Sequence, residues 1–165
     1  MGTGAGSRAS ILGLDQLISV VEKARAAGAS VAFANGCFDV LHVGHIRYLA
    51  DARSRADILI VGVNGDASVH ELKGEGRPLI PSAERAELIA SLRAVDYVIV
   101  FEERSPRALL AAIKPDLHCK GTDYTEDSVP EKDLVQSYGG RVVITGDPKD
   151  HSTTELIGQM RLSNS

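Results

Sequence analysis

Apolar residues fall into two alternating patterns along this chain: short unbroken runs, and longer stretches spaced by three and four. Leu14 to Ala27 places Leu14, Leu17, Ile18, Val21 and Ala24 at helical spacing. Asp15 favours the first turn, and Gly28 can end the helix. Val31 to Ala34 then reads as a buried strand, His45 to Ala56 as helix, and Asp57 to Val63 as a second buried strand. Pro81 to Arg93 is helical, with Leu88, Ile89 and Leu92 on one face, and Tyr97 to Phe101 is the third strand. Ser105-Pro106 is a helix start, Ser as N-cap and Pro at the first helical position, and that helix ends before Pro115. Leu117 to Cys119, Pro130 to Tyr138, Arg141 to Thr145 and Ser152 to Met160 continue as strand, helix, strand and helix.

Strands that are apolar on both faces and alternate with helices predict an α/β fold. It is a doubly wound five-stranded parallel sheet with helices on both faces. Such sheets bind ligands beyond the carboxyl ends of their strands. The loops after Ala34, Val63, Cys119 and Thr145 are therefore the places to search for chemistry. Residues 1–10 are rich in Gly, Ala and Ser and lack periodicity, so they read as a disordered lead or a remnant of cloning. Residues 11–165 read as one domain.

Composition narrows the classes. The chain has 165 residues, 44% of them hydrophobic, with a net charge of −4 and a pI of about 5.7. No apolar run reaches the length of a membrane span, and no secretory core is visible at the start, so no membrane partner and a cytoplasmic setting are expected. The acidic balance argues against a general nucleic-acid coat, while leaving room for a locally basic pocket. Cys37 and Cys119 fit no zinc spacing and are expected as reduced thiols. The phosphate-binding patterns GxxxxGK[ST] and GxGxxG are both missing.

The first loop reads Asn35-Gly36-Cys37-Phe38-Asp39-Val40-Leu41-His42-Val43-Gly44-His45 and leads into a helix. Gly36 and Gly44 let backbone approach a ligand, and the helix start presents N–H groups and a positive dipole. Two imidazoles there can donate to phosphate oxygens, which suits transfer of a nucleotidyl group. A divalent metal held by Asp39, His42 and His45 is the competing reading, but no fourth ligand is evident. The second loop carries Asn64, Asp66, Lys73, Arg77 and Arg85, and its plain reading is a solvated loop. The third, Lys120-Gly121-Thr122-Asp123-Tyr124, allows close approach of a base or ribose at Gly121. Asp123 can accept hydroxyl hydrogens, and Tyr124 can stack. The fourth, Ser152-Thr153-Thr154-Glu155, has the pattern of a capping box, which is also an anion site.

The stretch Gly36 to Leu49 resembles the HxGH nucleotidyltransferase superfamily, whose motif is GxFDxxHxGHxxxL. Gly36, Phe38, Asp39, His42, Gly44, His45 and Leu49 match it without a gap. The resemblance implies a Rossmann-like sheet and catalytic roles for His42, His45 and Lys73. It implies nucleotide binding by Gly36, Cys37, Phe38, Gly44, Lys120, Gly121, Ser152, Thr153 and Thr154. It implies substrate binding by Asp39, Asn64, Asp66, Arg77, Arg85, Asp123 and Tyr124, with Arg77 and Arg85 holding the substrate phosphate or the loop. No metal is held by the protein itself, and Mg2+ travels on the triphosphate. NGCFDVLHVGH, LKGEGRPLIP and KGTDY with STT together look most like the stand-alone heptose 1-phosphate adenylyltransferases. That implies ATP and a sugar phosphate as partners, ADP-heptose and pyrophosphate as products, a role in lipopolysaccharide assembly, and a homodimer. The glycerol-phosphate cytidylyltransferase relatives read RTEGISTT where this chain reads Asp147-Pro148-Lys149-Asp150-His151-Ser152-Thr153-Thr154, so the leading Arg is absent. Transfer from CTP or GTP to another sugar or polyol phosphate, and a nucleotide-binding module without turnover, stay open at this point.

Overall fold

The computed structural model describes residues 8–147 and a helix at Thr153–Ser163, of which the side chains from 157 onward are described. Its sheet is parallel throughout and has six strands rather than five. The strands are β1 (Ser10–Ile11), β2 (Val31–Gly36), β3 (Ile58–Asn64), β4 (Tyr97–Phe101), β5 (Leu117–Lys120) and β6 (Arg141–Ile144), in the order β1-β4-β3-β2-β5-β6. The extra strand is two residues at one edge, with Ser10 beside Tyr97 and Ile11 beside Val98. Ser10 therefore joins the sheet instead of the unstructured lead to which composition assigns it.

The helices are α1 (Leu14–Ala26), α2 (Val43–Ser54), α3 (Asp66–Lys73), α4 (Ser82–Ala90), α5 (Arg107–Ile113), α6 (Lys132–Ser137) and α7 (Thr153–Ser163). Two differ instructively from the sequence reading. The second loop is half helix, because Asp66 opens α3 behind Gly65 and Val69 is fully buried. Ser105 does not cap α5: Pro106 precedes the first helical residue, and the Ser105 hydroxyl donates instead to Glu131 Oε1 at 3.1 Å.

Two cores cover the sheet. One face buries Leu49 and Ala52 of α2 and Ala86 and Ile89 of α4 against Ala32, Leu59, Val61 and Val98. The other buries Leu17 and Val21 of α1, Leu110 and Ile113 of α5, and Val135 of α6 against Phe33, Ile60 and Ile99. Fully burying such aliphatic side chains is worth roughly 1.5–3 kcal/mol each. Gly62 sits at the centre of the second face, where a Cβ would lie 2.8 Å from the Phe33 ring and 3.0 Å from that of Phe101. The chain passes from β2 to β3 on one side, then returns past β2 to β5 on the other. That reversal opens a crevice at the carboxyl ends of β2, β3 and β5.

Candidate active site

A cleft of about 700 Å³ opens at this reversal. His42 and His45 sit on its floor, and both serve the start of α2. The helix begins at Val43, two residues earlier than periodicity predicts, with His42 as N-cap. Gly44 N–H donates to His42 Nδ1 at 3.1 Å, and His42 N–H donates to His45 Nδ1 at 3.3 Å. This is a capping box built from two imidazoles. Accepting a backbone N–H requires a lone pair on Nδ1, so the proton of each neutral ring resides on Nε2. The rings stack at 3.8 Å, and His45 meets Phe38 edge-on at 5.3 Å. The helix start thereby fixes both the tautomer and the orientation of two N–H donors beside its own positive end.

Gly36, Cys37, Phe38 and Gly44 also line the cleft. Phe38 has a φ of +48°, and its ring is buried in the core. Glycine at 36 makes room for that ring, since a Cβ would lie 3.0 Å from it. Burial pushes the Cys37 thiol up, against the pull of Lys73, Arg85 and Arg77, so it stays protonated at neutral pH. Lys73 closes α3 at the rim, and Asn64, Arg77, Lys120, Gly121, Asp123 and Tyr124 complete the predicted set that reaches the cleft. Lys120 is largely buried, its ammonium 4.7 Å above the Tyr124 ring.

Three residues predicted to meet substrate make their hydrogen bonds within the protein, and of these Asp39 also lines the cleft. Asp39 is 1% exposed. It accepts from Arg77 Nε at 2.5 Å, from Leu79 N–H at 2.8 Å and from Ile80 N–H at 3.0 Å. Burial opposes its charge, but these donors prevail and hold its carboxyl below the usual carboxylate range. Asp39 therefore pins the loop between α3 and α4. Arg85 is fully buried, donating to the carbonyls of Ile80, Cys37 and Asn64 and to Asp66 Oδ1 at 2.6–2.8 Å. Asp66 spends the same oxygen on Arg85 and on Ser82 N–H, away from the cleft. Ser152, and the side chains of Thr153 and Thr154, lie outside the described residues.

The cleft also contains residues that the motifs do not flag. Asn35 lies one residue before Gly36, and Arg104, Ser105 and Glu131 come from the start of α5 and the approach to α6. Glu131 stands in no motif and is 4% exposed. Only the distance between residues 105 and 131 along the chain hid their contact.

Cations on the cleft wall, helix N–H groups and two oriented imidazoles make a receptor for polyphosphate. The model of the family described as Cytidylyltransferase-like matches residues 33–158. The chain belongs to the cytidylyltransferase-like family. It is a nucleotidyltransferase with the HxGH signature. It is 48% identical over 154 residues to bifunctional protein HldE of Geobacter metallireducens, covering 93% of this chain and 31% of that protein. It is 47% identical over 156 residues to bifunctional protein HldE of Pseudomonas fluorescens, covering 94% and 33%. The chain thus spans about a third of the length of these curated relatives. Among solved structures, a lipopolysaccharide core biosynthesis protein from Thermoplasma volcanium superposes with a TM-score of 0.65 at 27% identity, over 74% of this chain and all of that one. Pantothenate synthetase from Thermus thermophilus shares the fold at a TM-score of 0.64 and 12% identity, over 94% of this chain and 70% of that one.

Proposed function

We propose that this nucleotidyltransferase joins ATP to D-glycero-D-manno-heptose 1-phosphate, giving ADP-heptose and pyrophosphate. The observation that carries the reading is the paired-histidine cap of α2, two fixed N–H donors in a cleft that Lys73, Arg77 and Lys120 also line. Its match to the bifunctional HldE proteins supports the heptose branch, as does its likeness to a lipopolysaccharide core biosynthesis protein. A phosphate oxygen of the sugar attacks the α-phosphorus in line; the new P–O bond forms as the bond to the β-phosphate bridge breaks, and pyrophosphate leaves with the electron pair. His42 and His45 donate from Nε2 to the phosphate oxygens as charge builds, and Lys73, Arg77 and Lys120 supply positive charge around them.

Among the described residues no three His, Cys, Asp or Glu side chains converge as metal ligands. Mg2+ enters on the triphosphate in this proposal. The working assembly is a homodimer, and its product feeds surface-glycan assembly. The test is pyrophosphate release with Mg2+, crossing ATP, CTP, GTP and UTP with heptose 1-phosphate, glycerol 3-phosphate and phosphoethanolamine. Release with ATP and heptose 1-phosphate alone is expected. Release with a different pair replaces the substrates, and a silent grid removes the proposal.

A further inference from the structure

The transfer proposed above brings a sugar phosphate up to a triphosphate, so two anions meet in one cleft. Each needs counter-charge, or repulsion holds them apart. The Lys and Arg residues lining the cleft are Arg47, Lys73, Arg77, Arg104 and Lys120. Three of them have partners in the protein. Arg47 pairs with Asp147, Arg77 pairs with Asp39, and the Lys120 ammonium sits over the Tyr124 ring. Among the described residues, the side chains of Lys73 and Arg104 make neither an ion pair nor a hydrogen bond. Lys73 already serves the triphosphate in the reaction above. Arg104 has no task there.

The chain is fastened on both sides of Arg104, just beyond the end of β4. The carbonyl of Glu103 accepts from Ser68 Oγ at 3.1 Å and from Asn64 Nδ2 at 3.5 Å, and Asn64 Nδ2 also donates to Ser68 Oγ at 2.8 Å. Gly65 N–H donates to the Phe101 carbonyl at 2.7 Å, which ties the end of β4 to the end of β3. On the other side the Ser105 hydroxyl donates to Glu131, and Pro106 is buried. Arg104 itself is exposed, and no ion pair joins it to Glu102 or Glu103 beside it in the sequence. A guanidinium on a fixed stem, without a partner in the protein, is available to one outside it. Its fork of donors matches a phosphate, and the fixed backbone lowers the ordering cost of binding.

The position of Arg104 in the sheet selects which phosphate. The base and ribose are expected beside Gly121, on the β5 side of β2, and the triphosphate at the α2 start with His42 and His45. Arg104 stands on the opposite flank, beyond β3, which is the part of the cleft left to the acceptor.

We propose that Arg104 binds the phosphate of the acceptor, holding it from the β4 side while the triphosphate rests on α2. This rests on the sugar-phosphate reading above. Arg104 selects a phosphorylated acceptor and stands outside the nucleotide site.

The experiment measures pyrophosphate release by the intact chain, by Arg104→Ala and by Arg104→Lys. Acceptor KM and ATP KM are determined separately, and melting temperatures are taken on the same samples. Arg104→Ala should raise the KM for heptose 1-phosphate about 10- to 100-fold while ATP KM stays within about twofold. Arg104→Lys keeps the charge but not the fork, so it should fall between wild type and Arg104→Ala. Both variants should melt within about 2 °C of wild type, because the side chain has no hydrogen bond or ion pair in the protein to lose. Unchanged acceptor KM in Arg104→Ala overturns the inference. A parallel rise in both KM values also overturns it, by placing the guanidinium on the triphosphate or in the fold. If wild type uses glycerol 3-phosphate or phosphoethanolamine instead, and Arg104→Ala raises the KM of that acceptor alone, the heptose assignment fails and the inference stands, since all three acceptors carry a phosphate. If wild type uses heptose 1-phosphate and Arg104→Ala changes nothing, the reverse holds. Release with no acceptor at all overturns both.

Discussion

Histidine is not among the side chains that best cap a helix; Asn, Asp and Ser lead that ranking. Its presence at the N-cap of α2, with a second histidine completing the box, therefore reflects a demand beyond helix stability. The two demands can be separated at one position. Asn at 42 can still accept the Gly44 N–H but offers no imidazole. His42→Asn should keep the urea midpoint within the equivalent of about 0.5 kcal/mol, whereas His42→Ala should lose about 1 kcal/mol. Both, like His45→Ala, should lower the rate of pyrophosphate release on the order of 10²-fold or more. Equal activity in His42→Asn and wild type would reduce the histidine to a cap. These residues were legible because spacing alone brings them together within one turn. The burial of Asp39 and Arg85 was not, because a charge in a sequence does not say whether it faces solvent. Arg85 meets its partners through residues 5, 19, 21 and 48 positions away.

At the scale of elements, the strands were the readable part. β2 to β6 lie within two residues of the apolar runs that announce them, since a strand buried on both faces can contain little else. β1 was illegible because two exposed residues carry no period, and α3 because its eight residues bury only Ser68 and Val69. The connection from α3 to α4 shows what periodicity cannot supply. It passes Gly74 and Gly76, both at positive φ, and its far end is fastened to Asp39. Asp39→Asn should therefore act through the loop. Leaving the Arg77 guanidinium beside a neutral partner in a buried setting costs about 3–5 kcal/mol, read as a lower urea midpoint. Turnover should fall with it, because Lys73 and Arg77 lie on the segment that Asp39 fastens. A variant with full stability and normal ATP KM would contradict this role.

Across the whole molecule, charge is distributed against the average: in a chain of net −4, one opening sets Arg47, Lys73, Arg77, Arg104 and Lys120 against only Asp39, Asp123, Glu131 and Asp147. Composition could exclude a general basic field, but it could not locate a local one. The same opening sets a pH limit. His118 is fully buried beneath it, and burial together with the Lys120 charge holds its pKa below the usual histidine range despite the opposing pull of Glu131. The unfolded chain takes up this proton near pH 6.5, while the folded one resists it, so protonation favours unfolding. Stability should fall as pH drops from 7 to 5. His118→Asn, which has no proton to take up there, should show a shallower fall of the urea midpoint over that interval. An unchanged slope would place the acid sensitivity elsewhere.

The cleft also carries its own optical reporter. The chain has four tyrosines and no tryptophan, so its near-ultraviolet emission comes from phenol rings alone. Two of the four belong to the cleft wall: Tyr48, whose hydroxyl donates to the Cys119 carbonyl at 2.7 Å, and Tyr124, whose ring lies beneath the Lys120 ammonium. Half of the molecule's fluorophores thus border the place where a ligand arrives, and occupancy can be followed by intrinsic emission without attaching a dye.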